Sequence, residues 1–159
     1  MAINFGDGSV QSFSGKIIQK KRALRTTQLT TSSSSYTAVT SITFTPKSSS
    51  SIIHAEFTGC CYVQQEPGGI RAQMYDFTDS NRFGTSLSNE DPLLLRFDMQ
   101  SLSNGYIYSY AGAVWRAQES SWGTTAKIVG LRILRAGNGT VGFITEYLPA
   151  TLTLTEVME

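Results

Sequence analysis

The segment "SIIHAEFTGCCYVQ" (51–64) alternates strictly. Ile53, Ala55, Phe57, Cys61 and Val63 fall on one side, and His54, Glu56, Thr58 and Tyr62 on the other. Successive side chains of a strand point to opposite faces, so a period of two commits this stretch to a half-buried strand. "YTAVTSITFT" (36–45), "IRAQMYDF" (70–77), "YIYSYAGAVW" (106–115), "TAKIVGLRIL" (125–134), "VGFITEYL" (141–148) and "ATLTLTEV" (150–157) read the same way. Turn signals such as "EPGG", "SNG" and "GNG" separate them. "PLLLRFDM", inside 86–101, is open between a strand and a short helix started before Pro92. No long segment carries a 3.6-residue period. The expectation is an all-β chain, an antiparallel β-sandwich or jelly roll of seven to nine strands.

The run Ser48–Ser51 would suit a flexible linker, but strands flank it and Pro46 cannot donate a ladder bond at the end of the first. The six residues Pro46–Ser51 make an ordinary strand connection. It is therefore read as a turn inside one fold, and the 159 residues as one domain over 26–159 preceded by an arm over 1–25. Asn138-Gly139 predicts a hairpin joining the strands on either side.

Charged residues are 16% of the chain, against about a quarter in typical soluble domains. Serine and threonine fill the gap, at about a quarter of all residues, and favour turns and strands. A net charge of +1 points to neither nucleic acid nor an acidic partner overall. No apolar run is long enough for a membrane-spanning helix, and "MAINFGDGSVQSF" lacks the pattern of a signal peptide. Basic residues nevertheless cluster in "KIIQKKRALR", with Lys16, Lys20, Lys21, Arg22 and Arg25. Together with Phe5, Phe13, Ile17 and Ile18 they suit an arm that docks on a neighbour.

Catalytic chemistry finds little support. His54 is the single histidine, and Cys60, on the same face, is about 20 Å further along an extended strand, too far for a dyad. Adjacent Cys60 and Cys61 are expected to be free thiols. No zinc or calcium ligand pattern is complete, so no metal or cofactor is expected, and "DFTDSNRFG" (76–84) reads as a turn at Asp79–Arg82. Glu90, Asp91 and Asp98 are the carboxylates that a glycan hydrolase would have to use, a distant alternative. Tyr106, Tyr108 and Tyr110 share a strand face, and Trp115 and Trp122 flank the following loop. These aromatics read as core, as a subunit interface or as a glycan platform.

The run "RTTQLTTSSSSYTAVTSITFTPKSSSSIIHAEFTG" (25–59) resembles a family of small virion structural proteins of tailed bacteriophages. Its elements are Tyr36-Thr37-Ala38-Val39, Phe44-Thr45-Pro46, the turn Lys47–Ser51 and the strand Ile52–Phe57. The ending "ATLTLTEVME" and the opening "INFGDGSVQ" are similar to that family as well. The resemblance covers the N-terminal third and the last ten residues. It implies a jelly-roll-like, often trimeric, non-enzymatic protein on the particle surface. A capsid decoration protein docked on the major capsid protein through its arm is the leading expectation. A short tail or head fibre binding host glycan is the alternative.

Overall fold

A computed structural model describes residues 2–4, 10–12, 15–64, 68–84, 94–97, 108–120, 122–137, 139–144 and 149–158. In chain order their strands are β1 (Ala2–Asn4), β2 (Val10–Ser12), β3 (Lys16–Arg25), β4 (Leu29–Thr31), β5 (Thr37–Phe44) and β6 (Ile52–Gln64). There follow β7 (Gly68–Asp76), β8 (Asn81–Arg82), β9 (Leu94–Phe97), β10 (Tyr108–Glu119), β11 (Lys127–Gly137), β12 (Thr140–Ile144) and β13 (Ala150–Met158). Thirteen exceeds the expected seven to nine because β1, β2, β4, β8 and β9 are short pieces with weak sequence periodicity. No helix occurs among the described residues; the "PLLLRFDM" segment contributes β9, which pairs with β7.

The fold is an antiparallel two-layer sandwich. One layer holds β3, β13, β6, β12, β4 and β10, and the other holds β5, β11, β7, β8 and β9. β6 is the central strand of the larger layer. It pairs along its length with β10 on one edge, and with β13 and then β12 on the other. β12 and β13 thus act as one long strand interrupted between Ile144, opposite Cys60, and Thr151, opposite Thr58. β1 and β2 form a separate pair.

The alternation read from the sequence sets the core. Ile53, Ala55, Phe57, Cys61 and Val63 of β6 are buried, with Val141, Phe143, Leu152 and Leu154 beside them. They meet Val39, Ile42, Phe44, Ile70, Met74, Val129, Leu131 and Ile133 of the other layer in one continuous cluster. Phe57 and Phe143 pack edge to face at 5.1 Å. Each such fully buried side chain contributes roughly 1.5–3 kcal/mol through lost contact with water.

Two connections depend on where the layers lie. The serine-rich segment after β5 is a turn within one fold, as expected, and it carries the chain from one layer to the other. The segment around Gly139 does the same between β11 and β12, so the predicted hairpin does not form. β12 pairs instead with β6 and β4 of the other layer, while the last residues of β11, Leu134–Gly137, pair with β7. Gly137 (φ 99°) and Gly139 (φ 80°) supply the left-handed backbone of this corner. Gly142 is required for another reason. A Cβ there would collide with the Leu29 carbonyl oxygen, so the approach of β4 to β12 depends on its absence.

Candidate functional site

Lys16–Arg25, read in the sequence as part of a docking arm, is the outer strand of the larger layer and pairs antiparallel with β13. Pairing divides its residues between two sides. Gln19, Lys21, Ala23 and Arg25 stand opposite Glu156, Leu154, Leu152 and Ala150, the buried row of β13. Lys20, Arg22 and Leu24 stand opposite Thr155, Thr153 and Thr151 on the outer side. A bulge between Glu156 and Val157 restores Ile17 to that outer side, opposite Val157, and leaves half-buried Ile18 as the extra residue.

The inward residues close the sandwich. Gln19 Nε2 donates to the Thr45 carbonyl (2.7 Å), Lys21 Nζ to that of Thr43 (3.2 Å) and Arg25 Nη1 to that of Val39 (2.7 Å). β5 is the edge of its layer, so carbonyls left without a strand partner there receive side-chain donors from the opposite layer. Lys21 and Arg25 are thus engaged within the molecule. Outward, Lys20 and Arg22 are exposed, as are Ile17 (61%) and Leu24 (49%).

Glu156 completes this closure. Its side chain is fully buried. It accepts hydrogen bonds from Ser51 Oγ (2.7 Å), Gln19 Nε2 (2.6 Å) and the backbone N–H groups of Lys47 (2.8 Å) and Ser48 (3.0 Å). Burial pulls its pKa upward, but these four donors outweigh that and hold the carboxyl below its usual value. The serine run is therefore a cradle for a carboxylate supplied by the last strand.

The turn after β7 spans 77–80, two residues earlier than predicted, with Ser80 left-handed at φ 55°. Asp76 Oδ1 accepts the N–H groups of Thr78 (2.8 Å) and Asp79 (3.1 Å). Lys127 Nζ lies 2.7 Å from Asp79 Oδ2 and 3.4 Å from Asp76 Oδ2. Partial burial lowers the Lys127 pKa, but the two carboxylates more than compensate and raise it. These acids are satisfied by an ammonium group, and no group of three or more potential metal ligands forms among the described residues.

The aromatics separate. Trp122 is buried (5%) between Phe44 at 5.8 Å and Phe83 at 5.4 Å, with Nε1 donating to the Thr125 carbonyl. It is a core residue and offers no platform. Trp115 lies inside β10 opposite Phe57, and so does not flank a loop, whereas Tyr108 and Tyr110 stand opposite Gln64 and Tyr62. Phe5, Phe13, Tyr106, Glu90, Asp91 and Asp98 lie outside the described residues. His54 is exposed, and neither cysteine forms a disulfide. Burial pushes the Cys61 thiol up to about 12, with Cys60 adding to the effect, so it is no nucleophile at neutral pH.

A cluster not singled out in the sequence lies on the outer face of the smaller layer. The Arg132 guanidinium sits between the rings of Tyr75 (3.3 Å) and Tyr36 (4.2 Å). Its Nε and Nη2 both donate to Gln73 Oε1, and Phe77 packs edge-on against Tyr75 at 5.2 Å. The signal was present: Arg71, Gln73, Tyr75 and Phe77 alternate with the buried row of "IRAQMYDF". Their meeting with Arg132 and Tyr36 is nonlocal and could not be read from spacing.

Fold and site define a two-layer antiparallel β-sandwich with a basic, partly apolar strand at one edge and an arginine–tyrosine column on the opposite layer. The chain matches no protein-family model and no curated protein.

Proposed function

We propose that this chain is a structural protein of a tailed-phage virion, a capsid decoration protein that docks on the head as a trimer. The observation that carries the reading is the division of β3. Its outward side presents Ile17, Lys20, Arg22 and Leu24 as an exposed mixture of apolar and basic groups. Its inward basic residues are committed to the fold. The docking set proposed on the described strand is therefore Ile17, Lys20, Arg22 and Leu24, with Phe5 and Phe13 as further anchors from the preceding segment. Several such weak contacts, repeated by each subunit of a trimer on the major capsid protein, add through effective concentration. The resemblance over 25–59 supplies the phage context and the three-fold symmetry.

Immunogold electron microscopy of the parent particle, with antibody to this chain, tests the reading. Label spread over the head is expected. Label confined to the tail or one vertex selects a short fibre instead. Absence of label from intact particles overturns both.

A further inference from the structure

We propose that the outer face of the smaller layer binds acidic glycans, with Arg132 receiving the carboxylate of a uronate- or sialate-type sugar residue. The inference is independent of where the protein sits on a particle.

Arg132 is half-buried, and among the described residues it has no carboxylate partner. Its planar faces are covered by Tyr75 and Tyr36, and one edge is fixed by Gln73, itself buried at 6% exposure. The guanidinium is thus held in place by rings and an amide, with no carboxylate among the described residues against it. A cation partly removed from water gains from an anion delivered to it, and a fixed fork loses little freedom on binding one.

Charge over the whole layer favours an anion. β5, β7, β8, β9 and β11 together contain one acidic residue, Asp76. It is buried and paired with Lys127. Arg71 and Arg82 are exposed on the same outer face, since they stand opposite Leu134 and Tyr75. Described strands that carry no exposed acidic residue favour a chain of repeated negative charge.

The arrangement of the rings selects the kind of anion. Arg132 occupies one face each of Tyr36 and Tyr75, and Phe77 closes on Tyr75 from the side. Ring faces used inside the column are withdrawn from nucleobase stacking, which disfavours a single-stranded nucleic acid. What remains are donors, namely the guanidinium and the phenol hydroxyls, beside half-buried aromatic surface. Gln73 Oε1 is already taken by Arg132. An acidic sugar supplies the complement: a carboxylate and hydroxyl oxygens that accept.

The test is isothermal titration of the full chain with three probes of similar length: a polyuronate oligosaccharide, a neutral glucan oligosaccharide and poly-glutamate. Binding of the polyuronate alone is expected. Arg132→Lys keeps the charge but loses the fork, and should bind about tenfold more weakly or worse. Tyr36→Leu, at the edge of the column, should weaken binding as well, and gives a second reading if the lysine variant fails to fold. No binding of the polyuronate overturns the proposal. So does equal binding of poly-glutamate, or undiminished affinity in both variants. None of these outcomes bears on immunogold labelling, so the two proposals fail separately.

Discussion

The two sides of β3 come from one short, basic stretch, yet they do different work. Lys21 and Arg25 reach across the sandwich to carbonyls of β5, and Gln19 to that of Thr45 just beyond it. Lys20, Arg22 and Leu24 belong to the outer side, where exposed side chains meet solvent. Neighbours in sequence are thus separated by the pleat, and charge clustering alone is a poor guide to a docking surface. An edge strand also invites unwanted pairing, which charged residues along it discourage. The inward lysine and arginine meet that need while closing the fold.

The sharpest way to break the comparison is at Glu156, the partner of Gln19. Glu156→Ala removes an acceptor from four donors in a buried corner, and about 3 kcal/mol of stability should go with it. Urea unfolding at neutral pH measures that. A cost no larger than that of a surface substitution would show that the cradle does not hold the layers together.

Arg25→Ala removes bonds to Val39 and Thr27 and should cost about 1 kcal/mol. The outward double variant Lys20→Ser with Arg22→Ser should stay within about 0.5 kcal/mol of the parent. Its effect belongs to attachment, with faster loss from particles in rising salt, measured by sedimentation of particles and bound chain. If the two variants exchanged these effects, the assignment of the two sides would be reversed.

Acid gives a finer test. Glu156 has a folded-state pKa below its unfolded value, so it contributes stability that is complete above the unfolded pKa. That contribution declines as pH falls through the folded pKa. Stability of the parent should therefore drop below about pH 4.5, and that of Glu156→Gln should drop less over the same range. Parallel curves would assign the acid loss to other carboxylates.

Much of the fold was legible. The alternating rows of β5, β6, β7, β11 and β13 mark their buried faces, because burial selects apolar residues at every second position. Short strands such as β4 and β8 carry too few residues for a period to show. The turn around Gly139 was legible as a turn but not as an inter-layer corner, since the pairing of β12 with β4 and β6 in the other layer is not a local property. For the candidate site, the outward row Arg71, Gln73, Tyr75 and Phe77 was present in the alternation. Its completion by Arg132 and Tyr36 was not, because those residues come from two other strand regions. Trp122 shows the converse. Beside a loop in the sequence it was open between core, interface and glycan platform, and Phe44 and Phe83 enclose it in the core.

By itself the sequence determined that this chain forms strands, which face of each is apolar, and that the serine run is a turn. Those are consequences of period and backbone geometry, carried by a few consecutive residues. Tertiary structure alone decided that Glu156 fills the serine cradle, that Lys21 and Arg25 are inward staples, and that a guanidinium lies between two tyrosines. Each of these joins residues far apart in the chain, and strand order and register, which bring them within hydrogen-bonding distance, are set only when the layers pack.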